Sequence, residues 1–484
     1  MSNAKKGVLG SFLLMAEALG KKSIGIVSTL ILARVLVPED FGVVAITTLI
    51  MGFIDSLADT GANQYLQRCE TVTDKIVNSA WTLNILIKAP ILGLLVLFSS
   101  QIALYFDDVR VEAILYVLSA ASIFGLLRNP GLIYLRRELE FSKIVKNSLI
   151  AKFIGVAVAI SIALYFESYW ALVLGTTAEI AATTIGSFFV YSYKPRFSTA
   201  NLREQWNFSA WMIPQSILGY FRTQLDTFLV SNQSGTEALG SYHVLKYISF
   251  LPCSQILLPA TQPLLVSMTK IKGNKQHFSS HYNMTFFLTM VIAGFISGFL
   301  YCRSEVVIGI LLGESWVDYA FLLKMFAFLI PSFASLNHVR RLLLIHGKTN
   351  IMFYFEICSV ALFVMSIMAF NANEVKDFAF IRVAVEAVAV HFFLIAATVF
   401  YHGWRHAMRL LVGLTPILFS LVAASIAIDE LSYGSNLIIR AASDFFIFSI
   451  SFLVVLFISY YLLFYRMEEW RYLFSLARKL RTNS

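Results

Sequence analysis

Residues 38–42 read PEDFG, and residues 236–240 read TEALG. Each stretch stands at a turn between two long apolar runs. A glutamate, Glu39 or Glu237, occupies the second place, and a glycine, Gly42 or Gly240, the fifth. A second echo comes at nearly the same offset. Arg136-Arg137 closes one apolar run and Arg340-Arg341 closes another, 204 residues on, against 198 for the glutamates. The runs ending in arginine pairs also each contain a proline, Pro130 and Pro331. Two turn motifs recurring at matched spacing predict an internal duplication. Both turns open a helix on the same side, so the halves are parallel repeats, an arrangement that brackets a substrate site and works by rocking.

Composition sets what is repeated. Of 484 residues, 58% are hydrophobic and 14% charged, and no long polar stretch interrupts the chain. Runs of about 20 apolar residues cross a bilayer as helices. About fourteen are present: 9–36, 40–66, 79–106, 110–136, 143–166, 169–193, 207–232, 237–268, 281–301, 317–346, 350–371, 376–402, 406–428 and 435–465. The alternating pattern of a β-barrel is absent. The expected fold is all-α, a polytopic membrane protein of about 14 transmembrane helices. It divides into an N-lobe (1–193, helices 1–6), an inner linker (194–206), a C-lobe (207–402, helices 7–12), two further helices (403–465) and a basic amphipathic tail (466–484). The tail places Trp470, Leu473, Phe474, Ala477 and Leu480 on one helical face, as in helices that lie on a membrane surface.

The net charge of +9 reports topology rather than nucleic-acid binding. Alternate loops and both termini carry about 24 Lys and Arg, and the opposite loops carry three, Arg110, Arg303 and Lys376. This bias predicts that both termini are cytoplasmic, with membrane lipids of the anionic inner leaflet close to the basic loops. The start resembles a signal peptide up to Ala16-Glu17-Ala18, but the apolar pattern resumes after Lys22, which favours a retained first helix. Four scattered cysteines form neither a disulfide framework nor a metal-binding spacing, and two glycosylation sequons (Asn207, Asn283) are short enough to arise by chance. Walker and Gly-rich phosphate loops are absent, so no cofactor is expected.

The stretch LARVLVPEDFGVVAITTLIMGFIDSLADTGANQYLQR (32–68) resembles the polysaccharide flippases, the Wzx-like branch of the multidrug/oligosaccharidyl-lipid/polysaccharide exporter superfamily. YLRRELEFSKI (134–144), LDTFLVSNQSGTEALGSYHV (225–244) and ILLGESWVDYAFLLKMFAFLIP (310–331) extend the likeness in order over helices 1–12. The resemblance implies two six-helix lobes around a central cavity in the bacterial cytoplasmic (inner) membrane. It implies a transporter, not an enzyme, that moves an undecaprenyl-diphosphate-linked oligosaccharide from the inner to the outer leaflet by alternating access. A proton or sodium ion is the candidate coupling ion, and a polysaccharide polymerase and chain-length protein are candidate partners. A multidrug exporter of the same superfamily and a membrane-embedded polymerase or glycosyltransferase are the alternatives. The first favours an acidic cavity, and the second needs a larger outer loop or an acidic surface motif.

Charges inside apolar runs are costly and mark candidate sites. Lys21 and Lys22 lie in the middle of the first run. Glu17, four residues earlier, can neutralise Lys21. Lys22 shares its face with Ser11, Gly25 and Thr29, so it either meets an anionic ligand or snorkels. Thr48, Gly52, Asp55, Asp59 and Asn63 form one helical stripe. The two aspartates either pair with a cation such as Lys22 or bind a coupling ion. In helix 7, Gln215, Gly219, Arg222 and Asp226 share a face. The Arg222 fork suits phosphate oxygens, with an Arg222–Asp226 pair as the structural alternative. Lys246, with His243 one turn earlier, is a candidate outer recipient of the head group. Lys88, Arg128 and Lys152 either widen a cationic entry or snorkel as structural residues, the latter being the favoured reading, and Glu179 and Glu356 are candidates for protonation. Pro214, Pro252, Pro259 and Pro263 offer bending points for lobe movement.

Overall fold

The computed structural model describes residues 3–464 apart from 63–64, 67–68, 70, 254–256, 258–274, 347, 349 and 433–435. The amphipathic tail, Asn63, Pro259, Pro263 and the side chains of Ser11 and Gln215 lie outside the described residues. Helices account for nearly all of the structure, and no strand occurs among the described residues. Among the described residues, ten helical segments are long and apolar enough to cross a membrane. Of the other expected spans, α1 (Asn3–Val35) carries Glu17, Lys21, Lys22 and Arg34, the run from Arg110 is cut short at Leu126, 207–232 is helical, and 237–268 is described only in part. The chain is a multi-pass helical membrane protein.

Close contacts group the chain into two compact units, Met1–His243 and Val244–Ser484. In the first, α1 is followed by α2 (Pro38–Leu57), α3 (Asp74–Leu97), α4 (Ser99–Tyr105), α5 (Arg110–Leu126), α6 (Leu132–Arg137), α7 (Ser142–Phe166), α8 (Trp170–Val190) and α9 (Leu202–Gln233). Helix α10 (Gly235–Pro252) begins in this unit and ends in the second. Lipid offers helices no hydrophobic reason to associate, so small residues that let backbones close up decide the packing. Gly155 of α7 and Gly175 of α8 show this. A Cβ on Gly155 would stand 2.8 Å from the Gly175 carbonyl oxygen, and one on Gly175 would stand 2.6 Å from the Ala159 Cβ.

The two echoing turns pack on each other. A Cβ on Gly42 would strike the carbonyl oxygen of Thr236, and one on Gly240 would strike the carbonyl oxygen of Pro38. Pro38 and Thr236 hold the first place of the two motifs, and Gly42 and Gly240 the fifth, so the contact is reciprocal. Beside it, Arg110 holds Asp108 through Nε and Nη2 (2.9 and 2.7 Å) and reaches Glu39 with Nη2 (2.7 Å). Burial alone would raise the Asp108 carboxyl, but hydrogen bonds from the Arg110 side chain and backbone hold it below the ordinary carboxylate range.

The run 110–136 is two helices, not one. Pro130 cannot donate a hydrogen bond, and the chain breaks over residues 127–131 between α5 and α6. Such a break survives in hydrocarbon only where its polar groups find protein partners. Asn129 supplies them. Its Nδ2 donates to the carbonyl oxygens of Ser187 (3.2 Å) and Tyr191 (2.6 Å), its Oδ1 accepts from Gly131 N (2.8 Å), and its own N–H donates to Ser187 Oγ (3.0 Å). Trp81 Nε1 donates to the Leu126 carbonyl oxygen, 2.8 Å away at the end of α5. The segment after α8 is served in the same way by α3. Arg196 N donates to Asn78 Oδ1 (3.1 Å), Ser198 N to Thr82 Oγ1 (3.0 Å) and Asn201 N to Ser79 Oγ (3.3 Å).

The second unit is built on α11 (Lys275–Cys302), which packs against α14 (Leu329–Ile345) after α12 (Ser304–Leu311) and α13 (Ala320–Phe326). The unit continues through α15 (Asn350–Phe370), α16 (Val375–His402) and the short α17 (Trp404–Val412) to the pair α18 (Thr415–Leu431) and α19 (Leu437–Ser459). Phe295 and Phe299 meet Phe445 and Phe448 edge-on, with centroids 5.4 to 5.9 Å apart. Arg303 ties α18 and α19 together through Asp429 (3.0 Å) and the buried Asp444 (2.8 Å).

Candidate functional site

Within the first unit, α2, α3, α6 and α9 line an open polar cavity of about 920 Å³. Helix α2 stops at Leu57, short of the full stripe read from the sequence. Asp59 therefore lies in the turn beyond it, where its Oδ1 accepts from Gly61 N (3.1 Å) and its Oδ2 from Ser216 Oγ (2.6 Å). Ser209 Oγ donates to the Thr60 carbonyl oxygen (2.6 Å), and the Tyr220 hydroxyl donates to that of Leu49. These bonds fasten α9 along α2, and Gly52 leaves the room that Tyr220 fills. The remaining wall carries Asp55, Asn84, Lys88 and Arg136.

Asp55 pairs with Lys88 at 2.7 Å, not with Lys22. The Asp55 side chain is 57% exposed and that of Lys88 is 20% exposed, so the pair sits at the cavity surface and not in a dry core. In such a setting an ion pair adds little to stability, and its charges stay available to hydroxyls and water. A second, smaller pocket of about 190 Å³ lies next to the first and shares Ala62, Asn84 and Arg136 with it. Arg128 and the broken segment at Asn129–Pro130 form part of its lining, together with Leu66, Leu126, Leu132 and Ile133.

Other predicted residues sit elsewhere. Lys152 donates to Glu179 at 2.8 Å, and Lys21 approaches the same carboxylate at 3.9 Å, in place of the Glu17 partner that helical spacing favoured. This trio joins α1, α7 and α8. Lys22 is exposed on α1, and neither it nor Arg222 lines either cavity. Asp226 is fully buried and accepts from the Tyr242 hydroxyl at 2.9 Å. Lys246 and Glu356 belong to the second unit, where Glu356 meets Arg340 at 3.4 Å. Of the predicted set, Asp55, Asp59, Lys88 and Arg128 are therefore gathered around adjoining cavities. Asn84, Ser216, Tyr220 and Thr223 line the first cavity without having been singled out, because uncharged polar residues within apolar runs carry little signal. Arg136 was visible only as part of a repeated pair. Among the described residues, no cluster of His, Cys, Asp or Glu is arranged to hold a metal.

The polar cavity is sunk among helices long and apolar enough to cross a membrane. Residues 31–321 match the polysaccharide biosynthesis protein family, and the chain belongs to that family. It is 23% identical over 355 residues to the lipopolysaccharide biosynthesis protein WzxC of Escherichia coli (strain K12), covering 71% of each chain. It is also 23% identical to the succinoglycan biosynthesis transport protein ExoT of Rhizobium meliloti (strain 1021), covering 59% of this chain and 58% of that one. Among solved structures it resembles the lipid II flippase MurJ in an inward closed conformation, with a TM-score of 0.74 at 13% identity over 94% of this chain and 99% of that one. A multidrug resistance MATE family transporter of the MOP superfamily gives a TM-score of 0.58 at 12% identity over 82% and 96%. The fold is that of this exporter superfamily.

Proposed function

We propose that the protein is a flippase that carries an undecaprenyl-diphosphate-linked oligosaccharide from the inner to the outer leaflet of the bacterial inner membrane, serving cell-surface polysaccharide assembly. Both termini face the cytoplasm, and the chain performs transport without covalent chemistry. The observation that supports this reading best is the cavity, which sets Asp55 and Lys88, 2.7 Å apart, beside Asn84, Ser216 and Tyr220. Carboxylate, ammonium, amide and hydroxyl groups together offer donors and acceptors to sugar hydroxyls, which water otherwise satisfies. Lys88 and Arg136 balance Asp55 and Asp59 in the wall, so the cavity lacks the net negative charge that the organic cations of a multidrug exporter would favour. Membership in the polysaccharide biosynthesis family and the named relatives point the same way.

Lobe rocking about the two repeats would present this cavity first to one side and then to the other. Lys22, Arg222, Gln215 and Lys246 remain candidates for contact with the head group in another conformation, and Asp226, Glu179 and Glu356 for coupling to a proton or sodium ion. The test is transfer of a fluorescent lipid-linked oligosaccharide across vesicles containing the purified protein. Protein-dependent transfer that falls in Lys88→Met is expected. Transfer no faster than in empty vesicles, with several glycans and with either ion gradient, would overturn the assignment.

A further inference from the structure

The smaller pocket holds an arrangement that packing alone leaves unexplained. Arg128 lies within the break between α5 and α6, Arg136 lies beyond it on α6, and both line the same space. Both are partly buried, and among the described residues neither has an ion-pair or hydrogen-bond partner. Arg136 repels Arg128, and Glu17 attracts it without pairing. Among the described residues, the neighbouring basic side chains Lys88 and Arg137 are engaged. Lys88 has Asp55, and Arg137 donates to the carbonyl oxygens of Leu66 (3.2 Å) and Cys69 (2.6 Å). Two like charges held together away from bulk water are unfavourable unless an anion joins them.

We propose that this pocket binds the phosphate end of an amphiphile, a phosphate or diphosphate carried on an apolar chain. Planar guanidinium forks match phosphate oxygens, and two of them offset the charge of a diphosphate. The Asn84 side chain, also without a hydrogen-bond partner among the described residues, adds a donor at the junction with the larger cavity. Leu66, Leu126, Leu132 and Ile133, which also line the pocket, give the first carbons of the chain an apolar surface. At about 190 Å³ against 920 Å³, the pocket suits a phosphate group and the neighbouring cavity a glycan. The inference rests on the flippase reading and divides its substrate between two compartments. The phosphates anchor beneath the helix break, and the sugars extend past Asn84 toward Asp55 and Lys88. The pocket is separate from the Lys22 and Arg222 positions, which line neither compartment.

The experiment measures binding without transport. The purified full chain in nanodiscs is titrated with farnesyl diphosphate, with short-chain phosphatidylglycerol and with inorganic phosphate, in wild type, Arg128→Gln, Arg136→Gln and the double variant. Each single variant is expected to weaken farnesyl diphosphate binding roughly ten- to hundredfold, the range for one charge-assisted contact, and the double variant to abolish it. Arg128→Lys and Arg136→Lys keep the charge, lose the fork and are expected to fall between. Thermal unfolding of each variant separates lost binding from lost folding, and the lysine variants carry the test if a glutamine variant fails to fold. Farnesyl diphosphate binding that is indifferent to both arginines overturns the site. Equal competition by phosphatidylglycerol makes it a phospholipid headgroup site and overturns the isoprenyl assignment. Equal competition by inorganic phosphate removes the role of the apolar surface. Transport without arginine-dependent binding sinks this inference alone, whereas arginine-dependent binding without transport sinks the flippase reading instead.

Discussion

Gly42→Ala is expected to pry apart the contact between the two repeated turns. A Cβ there would run into the carbonyl oxygen of Thr236, and a Cβ on Gly240 would lie 2.7 Å from the backbone nitrogen of Gly42. Ordinary Cβ contacts begin near 3.4 Å, so even that lesser overlap needs a shift of roughly 0.7 Å between α2 and α10, and the carbonyl overlap needs more. Backbone cannot swing aside as a side chain does. Overpacking of this kind costs about 1–3 kcal/mol, a roughly five- to hundredfold change in the ratio of closed to open contact. The neighbouring Leu239 is fully buried and reports on closure. In a cysteine-free background, Leu239→Cys should react slowly with a membrane-impermeant maleimide, and adding Gly42→Ala or Gly240→Ala should speed the reaction by that factor. Gly93→Ala, where a Cβ meets nothing within 4 Å, serves as the control. Unchanged labelling with undiminished transport in both glycine variants would refute the argument that the two motifs are held together by backbone contact.

Three further outcomes follow from the same geometry. Lys88→Met should lower thermal stability by less than about 1 kcal/mol, because its partner Asp55 is largely exposed, yet cut glycan transfer more than about tenfold; the exchange Asp55→Lys with Lys88→Asp should restore part of it. Asn129→Ala strands the Ser187 and Tyr191 carbonyls and the Gly131 N–H, and should cost about 1–3 kcal/mol in thermal unfolding. For Asp108, whose carboxyl is held below its ordinary range, the stabilisation is present above the unfolded value near 4 and is lost as pH falls through the lower folded value. Asp108→Asn should therefore melt below wild type at pH 7, with the gap narrowing under acid conditions below about pH 4. A constant gap would assign the effect to packing.

Hydropathy made the helices legible because length and apolar content are properties of one segment at a time. The two echoing motifs were legible for a similar reason, since PEDFG and TEALG are local patterns that need only be compared. Pairings between segments were not. Helical spacing offers Lys21 only Glu17, whereas the fold brings Glu179 from α8, and Asp55 finds Lys88 on α3. Periodicity describes a face without saying what the face meets. It also carried the α2 stripe past Leu57, where the Asp59 carboxylate accepts from the Gly61 N–H in the turn beyond the helix. Pro130 was visible, but its effect depended on Asn129 and Ser187 meeting across 58 residues, which decides whether a proline kinks a span or divides it.

The partners of Asn129 also constrain how the protein is made. Ser187 and Tyr191 lie 58 and 62 positions later in the chain. When residues 127–131 leave the ribosome, the groups that will satisfy them have not yet been synthesised. The interrupted stretch must therefore wait in a wet or chaperoned setting until α8 arrives, so the fourth expected span settles into lipid only together with the sixth. Biogenesis of this half is then a concerted docking of hairpins rather than a one-by-one threading of finished helices.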